Sequence, residues 1–438
     1  MPERCKLYTL RNVRTIPQFQ RLPQSFQSDL RIVGQVYPFR VNSYIVEELI
    51  DWNNAPDDPI FRLVFPSKEM LAPEHYEKIA SIIGKDAGQE RDVDRAEINA
   101  AVNDIRARLN PHPAEQRERN MPHLDGKPLH GIQHKYHQTV LFFPNQGQTC
   151  HAYCSFCFRW PQFVGVKELR IASREVDTLI EYLSRHPEVS DVLLTGGDPL
   201  IMKAKVLAPY IDKLLDARLP HLKTIRIGTK TLSHWPYRFI TDDDADDLLR
   251  LFAKITARGK HLAFMAHFNH PKELKTVAVR NAIKRIQETG AQIRTQSPLL
   301  SHINDQSEAW SEMWKLQTEL GCIPYYMFIN RDTGAQHYFG VPLVRAWEIF
   351  KHAYRNVTGL ARTVRGPSMS TALGKVQILG VGKIRDERIF VMQFLQARDP
   401  EWVKRPFFAK YDEKATWFDE LQPYDYEGFF FEKDSPQS

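Results

Sequence analysis

The sequence predicts an α/β fold: a partial (β/α)6 barrel over residues 131–381. A mainly helical N-terminal region and linker (1–130) precede it, and an irregular, aromatic-rich C-terminal extension (382–438) follows. Three observations carry the prediction. Short apolar runs recur after residue 131, helix-period segments lie between them, and both rhythms cease after Gly382. Strands that alternate with helices build parallel sheets, because each parallel connection needs a crossover long enough to hold a helix.

Taken in order, a helical pattern starts at Ser67 and runs through Leu71, then continues from Tyr76 to Ile83. It resumes over 92–109, where Ile98, Val102, Ile105 and Leu109 recur at helical spacing. Prolines at 111, 113, 122 and 128 interrupt the stretch Asn110–Pro128, which reads as a linker. Six strand-like runs follow: Thr139–Pro144, Asp191–Thr195, Thr224–Gly228, His261–Phe268, Gln292–Gln296 and Cys322–Phe328. Between them, Ser173–Arg185 sets Val176, Leu179, Ile180 and Leu183 on one face. Asp305–Leu320 does the same with Trp310, Met313, Trp314 and Leu320, before Gly321 stops the helix. Six units make about three quarters of an eight-unit barrel. In the extension, Trp402, Phe407, Phe408, Trp417, Phe418 and Phe429 to Phe431 mix with acids, and are expected to pack against the barrel or another subunit.

With 42% hydrophobic and 26% charged residues in 438, the composition is that of an ordinary soluble globular protein. A net charge of +6 is mild for this length; it permits weak attraction to anionic substrates but does not argue for nucleic-acid binding, and no nucleic-acid partner is expected. No run approaches the roughly 18 to 20 apolar residues that span a membrane. The start Met1-Pro2-Glu3-Arg4-Cys5 lacks the apolar core of a signal peptide. These features, with few cysteines, set the expectation of a cytoplasmic protein without membrane attachment.

Of the five cysteines, Cys150, Cys154 and Cys157 fall within eight residues; the others are Cys5 and Cys322. Thiolates are soft donors that suit iron–sulfur clusters and zinc. Zinc asks for a fourth protein ligand, usually from a second cysteine pair, and the sequence holds none. Three thiolates on a cubane cluster leave one iron open to a ligand. The spacing C-x3-C-x2-C resembles the signature of radical S-adenosylmethionine (SAM) enzymes, which carry a [4Fe-4S] cluster. After the second strand comes Thr195-Gly196-Gly197-Asp198-Pro199-Leu200. Paired glycines permit close backbone approach, and a carboxylate there can accept from an ammonium. Such a turn alone is common in α/β proteins. One strand after the cysteines, it resembles the Gly-Gly-acid segment that holds the methionyl amino group of SAM, which assigns Gly196, Gly197 and Asp198 to that cofactor.

The resemblance narrows further. His134-Lys135-Tyr136, Cys157-Phe158-Arg159, TGGDPL, Ile225-Arg226-Ile227-Gly228-Thr229-Lys230-Thr231, His267-Phe268-Asn269-His270-Pro271, Gln296-Ser297-Pro298-Leu299-Leu300 and Pro324-Tyr325-Tyr326 follow one another in an order and spacing that resemble the lysine 2,3-aminomutase family. The likeness extends over about residues 57 to 380 and includes Asp57-Asp58-Pro59-Ile60. It implies an isomerase that moves the α-amino group of an L-amino acid to the β-carbon. Its cofactors would be the cluster, SAM and pyridoxal 5′-phosphate (PLP), its electron donor an external flavodoxin or ferredoxin, and its assembly a homo-oligomer. By the same resemblance Lys375, ending Thr363-Val364-Arg365-Gly366-Pro367-Ser368-Met369-Ser370-Thr371-Ala372-Leu373-Gly374-Lys375, is the lysine that binds PLP. Arg159 grips the substrate α-carboxylate, and Tyr136 and Gln296 lie near the PLP ring. Phe156 is placed either against the adenine or in the core. His267 and His270 are expected to be structural.

Four departures shape the expected activity. The glycine run before the family lysine is replaced by Ser-Met-Ser-Thr-Ala-Leu-Gly. The family's H-R-Y-P-D-R becomes His134-Lys135-Tyr136-His137-Gln138-Thr139, so Lys135 offers a charge but no bidentate fork for the phosphate, and Thr139 neither. Where lysine-specific members hold the substrate's distal ammonium with two aspartates, Asn330 and Arg365 stand here. A guanidinium within a few ångström of an ammonium repels it by about 1 kcal/mol or more. The expected substrate is therefore not lysine, and an arginine in the side-chain pocket favours an acidic one. The additional zinc-binding cysteines of some members are missing. Alternative readings are a radical SAM enzyme without PLP, a branch acting on a protein-bound lysine, and an iron–sulfur protein with no mutase activity.

Overall fold

In a computed structural model, the strands lie side by side in chain order. The residues described are 5–84, 94–166, 169–424 and 428–433. One eleven-stranded sheet holds β1 (Ile132–Tyr136), β2 (Thr139–Phe142), β3 (Asp191–Leu194), β4 (Thr224–Thr229), β5 (His261–His267), β6 (Gln292–Leu299), β7 (Ile323–Ile329), β8 (Arg365–Ser370), β9 (Gly374–Ile384), β10 (Glu387–Ala397) and β11 (Pro406–Lys410). Strands β2 to β8 run parallel, while β1 and β9 to β11 are antiparallel to their neighbours. Side chains alternate across the sheet, as the pleat requires. In β4, Ile225 and Ile227 are fully buried while Arg226 is only partly so.

The six strand-like runs thus become β2 to β7. The sheet adds what they did not show: β8, a seventh parallel strand, and β1, an antiparallel partner for β2. The C-terminal reading needs correcting. Gly382 lies inside β9, and the segment after it is not irregular but continues the same sheet as β10 and β11. Phe390, Met392 and Phe394 are fully buried at period two, so the strand signal was present beneath the aromatic composition.

The longer helices of the N-terminal region, among the described residues, are α1 (Gln24–Val36), α2 (Pro59–Val64), α3 (Pro73–Ile83) and α4 (Arg95–Arg108), besides short turns at Pro17–Gln20 and Ile45–Leu49. The pattern at Ser67–Leu71 yields only a 3-10 turn over Lys68–Met70. Of the helix expected over 92–109, residues 92 and 93 lie outside the described residues. In α2 the Asp58 carboxylate caps the helix by accepting from the Ile60 and Phe61 amides, with Pro59 in its favoured first position. Six helices then alternate with the parallel strands: α5 (Val176–Arg185), α6 (Ala204–Asp216), α7 (Ala245–Ala257), α8 (Val277–Gln287), α9 (Ser307–Glu319) and α10 (Leu343–Arg355). Gly321, at φ +71°, ends α9 as expected.

The sheet curls enough to bring β1 against the region of β8 to β10. The Lys135 Nζ at the end of β1 donates to the Thr371 carbonyl in the β8–β9 turn. Arg398 Nη2, just past β10, donates to Asn120 Oδ1 at 2.6 Å. No helix among the described residues is long and apolar enough to cross a membrane.

Candidate functional site

Several predicted site residues lie at the C-terminal ends of the parallel strands, whereas Tyr136 pairs with Thr139 at the start of β2, Gln296 lies within β6 and Arg365 opens β8. The cysteine loop follows β2, Gly196 to Asp198 follow β3, His267 ends β5, and Asn330 follows β7. Lys375 opens β9 opposite Ser370, the last residue of β8.

The thiol loop is held by both neighbouring motifs and the N-terminal region. Asp198 N donates to the carbonyls of Gly147 (3.0 Å) and Thr149 (2.8 Å). A Cβ on Gly197 would stand 2.5 Å from Thr149 N and O, and one on Gly196 would strike the Gln148 side chain at 2.1 Å. The two glycines therefore serve, in this structure, the close approach of two loops. From the N-terminal side, Arg40 Nη1 donates to Thr149 Oγ1 (2.6 Å) and the Cys150 carbonyl (3.1 Å). Between the second and third cysteines, Ser155 donates from N (2.8 Å) and Oγ (3.0 Å) to the Leu63 carbonyl, and from Oγ to the Arg62 carbonyl (2.7 Å). Carbonyls at the C-terminus of α2, which the helix itself leaves unpaired, thus seat the loop. Neither this support nor Arg40 was read from the sequence.

Asp198 differs from expectation. Its carboxylate is 3% exposed and accepts from Leu200 N (3.0 Å), Thr229 Oγ1 (2.8 and 2.9 Å) and Lys230 N (2.8 Å). The acceptor assigned to a ligand ammonium is occupied by this chain's own donors, and ties β3 to β4. Nearby, Lys230 pairs with the buried Glu273 at 2.7 Å. His270 Nδ1 accepts from Lys272 N at 3.2 Å in a capping box with Glu273, a structural role. Phe156 packs partly buried, its ring 6.2 Å from that of Phe339.

Cys150, Cys154 and Cys157 are free and half-buried. Burial pushes all three thiols up, Cys157 to about 11, with Asp198 adding to it at Cys150. Bound metal offsets such a rise, because coordination takes the thiolate. Among the described residues no three His, Cys, Asp or Glu side chains converge on a single-ion site. A cubane cluster places each thiolate on a different iron, so its donors need not converge. The three thiols lie within electrostatic reach of one another, since, beyond burial, Cys157 and Cys154 both raise the Cys150 thiol.

The other half of the site is cationic. Lys375 Nζ lies 4.1 Å from the Tyr326 ring centroid, 5.3 Å from Phe328 and 5.9 Å from Tyr136, and 3.4 Å from Gln396 Oε1. Burial lowers its amine to about 7, against the pull of Tyr325 and with help from Arg226, Arg365 and Arg331. The Tyr136 hydroxyl is buried, with the Ser370 side chain facing it. Gln296 Nε2 donates to His267 Nε2 at 2.8 Å, since burial keeps that ring neutral, lowered to about 3. The Arg159 guanidinium sits 4.7 Å from the Phe143 ring and 5.0 Å from Phe158, and no acceptor among the described residues hydrogen-bonds it. Arg331, absent from the sequence reading, lies 4.9 Å over Phe158 from its own side.

Arg365 opens β8 in register with Tyr326, exposed, its Nη1 3.4 Å from the Tyr326 hydroxyl. Asn330 lies four residues further along β7, roughly 13 Å away at strand rise, so the two expected pocket residues do not meet.

No protein-family model matches the sequence. A protein of Aquifex aeolicus (strain VF5) bearing the provisional name L-lysine 2,3-aminomutase is 33% identical over 402 residues, 92% of this chain and 92% of its own length. The L-lysine 2,3-aminomutase of Acetoanaerobium sticklandii is 28% identical over 251 residues, 57% of this chain and 56% of that protein. Among solved structures, a radical SAM methyltransferase from Sphaerobacter thermophilus overlays with a TM-score of 0.36 at 14% identity, covering 55% of this chain and 68% of its own. That likeness is too loose to inform fold or function.

Proposed function

We propose that this chain, which belongs to the lysine 2,3-aminomutase family of radical SAM enzymes, is a PLP-dependent 2,3-aminomutase acting on a free L-amino acid other than lysine, with an acidic side chain preferred. The observation that carries this reading is Lys375, a desolvated amine among three aromatic rings and beside several cations. The curled sheet is read as a partial barrel enclosing that chemistry.

Cys150, Cys154 and Cys157 would hold the cluster, the loop after β3 would support SAM, and Lys375 with Tyr136 and Gln296 would hold PLP. Bound there, the cluster and SAM supply hydrogen abstraction, and PLP supplies the aldehyde that carries the migrating nitrogen. The chain's own residues do the rest. Lys375, with its amine lowered to about 7, keeps a neutral fraction able to attack an aldehyde at physiological pH. Arg159, with no internal acceptor, presents a planar fork to the substrate carboxylate. Tyr326 and Phe328 exclude water from the amine.

Substrate preference follows from the carboxylates. Asp198 is filled by its own donors, Glu273 by Lys230, and Asp332 Oδ2 accepts from Asn110 at 3.0 Å. Asp332 Oδ1 stays without a hydrogen-bond partner, but Arg331 stands beside that carboxylate, and the surrounding cations favour an acid over the distal ammonium of lysine. An external flavodoxin- or ferredoxin-type donor and a homo-oligomeric, cytoplasmic enzyme belong to the same reading. The test is anaerobic reconstitution with iron, sulfide, SAM and PLP, then mass spectrometry of products from a mixed amino-acid pool. A β-amino dicarboxylic acid is expected; β-lysine as the main product would overturn the substrate claim. Borohydride reduction should trap PLP on the wild type but not on Lys375→Ala. Trapping that is absent from both would leave the PLP-free radical SAM reading.

A further inference from the structure

The hairpin turn that precedes Lys375 is gripped by three cations. Arg331 Nη2 donates to the Ser370 carbonyl at 2.7 Å, Lys135 Nζ to Thr371, and Arg398 Nε to Ala372 at 2.9 Å. These are three consecutive carbonyls, reached from the loop after β7, from β1, and from the end of β10. None of the three cations forms an ion pair with an acid among the described residues. Buried cations are rarely left without an anion, because the cost of desolvation is then unrelieved. Two further buried atoms here lack a hydrogen-bond partner, Arg331 Nε and Oδ1 of the adjacent Asp332, whose charge acts on Arg331 without forming an ion pair, while the buried Tyr136 hydroxyl faces the Ser370 side chain.

The cations are not equivalent. Arg398 is consumed by the fold, since Nη1 also donates to the Arg119 carbonyl (3.2 Å) and Nη2 to Asn120 Oδ1 (2.6 Å). Lys135 and Arg331 each use one donor and keep others. An acceptor serving Lys135 Nζ, the free edge of Arg331 and the Tyr136 hydroxyl together must offer several oxygens and a high negative charge, and a phosphate monoester does.

We propose that Arg331, with Lys135 and Tyr136, forms the seat of a phosphomonoester, and that Arg331 supplies from the loop after β7 the bidentate fork missing from the His134–Thr139 segment. This rests on the reading of Lys375 as the aldehyde-binding lysine, since it places phosphate and aldehyde of one ligand on either side of the same turn. Arg331 is a binding residue here, not a catalytic one.

The test uses the full-length apoprotein and follows PLP and pyridoxal, which lacks the phosphate, by absorbance titration. Wild type should prefer PLP. Arg331→Gln should weaken PLP by about tenfold to a hundredfold, the usual worth of a hydrogen bond to a charged group, and leave pyridoxal unchanged. Arg331→Lys, which keeps the charge without the fork, should fall between. Equal losses for both ligands, or undiminished preference for PLP, would overturn the proposal and leave Arg331 a structural clamp. Inorganic phosphate provides a separate arm: it should raise the melting temperature of wild type and not of Arg331→Gln. If wild type took up neither aldehyde but kept the phosphate response, the PLP reading would fail while the anion seat stood. A phosphate response equal in both proteins would sink the seat itself.

Discussion

The thiol loop and the surroundings of Lys375 balance charge in opposite ways. Beside the thiols, Asp198 is filled by amide and hydroxyl donors, Lys230 meets Glu273, and Arg40 donates into the loop. Beside Lys375, the cations Lys135 and Arg331 meet carbonyls and an aromatic face, with no acid in ion-pair reach among the described residues. Satisfied groups make scaffold, because nothing is gained by displacing their partners. Buried like charges instead mark a volume whose electrostatics close only when an anion enters. One half is built to hold a loop still, the other to receive a ligand.

The largest expected effect removes the function of the scaffolded half. Cys157→Ala should abolish SAM cleavage and lose most iron and sulfide while the far-ultraviolet circular dichroism stays native. Retention of the full iron content would show that the three thiols do not act as one donor set. Gly197→Ala should come next. Its Cβ would press on Thr149 N and O at 2.5 Å, so a loss of about 1–3 kcal/mol in urea unfolding is expected, with reduced iron uptake. Unchanged stability would mean that the two loops can part without cost.

The cationic half is sharpened by pH. Burial lowers Lys135 to about 6 and Lys375 to about 7, against 10.5 for an ordinary lysine. From about pH 7 to about 10 the unfolded chain therefore binds more protons at these two sites than the folded one. Since stability rises with pH wherever the unfolded state holds more protons, the ligand-free protein should gain stability across that window. Urea midpoints at pH 7 and pH 9 check this, and Lys135→Met should flatten the slope. A slope that the substitution does not alter would remove Lys135 from the account. The smallest effect belongs to Arg365→Ala. Arg365 is exposed, so its loss should change stability by no more than about 0.5 kcal/mol and, although its charge adds to burial in lowering Lys375, leave the product profile as it was. A switch of substrate would restore Arg365 to the site.

Much of this was legible beforehand, and the reason differs from element to element. The six apolar runs became β2 to β7 because burial between helices demands contiguous β-branched and aromatic residues, which a sequence displays directly. Strand β10 displayed the same signal in Phe390, Met392 and Phe394, but aromatic composition masked the period-two order. The three cysteines, the glycine pair and Lys375 were legible because their spacing is covalent. Asp198 was legible as a carboxylate after a strand, but not as one already filled by Thr229 and Lys230, because those donors arrive from the next strand. Arg331 carried no motif at all; its meaning comes from its neighbours.

Taken alone, the chain determined its alternation of strands and helices, the triplet of thiols, and the lysine that ends the glycine-poor turn. These depend on periodicity and on separations of a few residues, which local sterics and burial impose wherever the segment goes. Tertiary structure decided which cations share a space, which carboxylate is spent, and that Arg365 stands apart from Asn330. Those are relations between residues distant in sequence, such as Lys135 and Thr371, 236 positions apart. Only the curl of the sheet brings them within the few ångström over which hydrogen bonds and unscreened charge act.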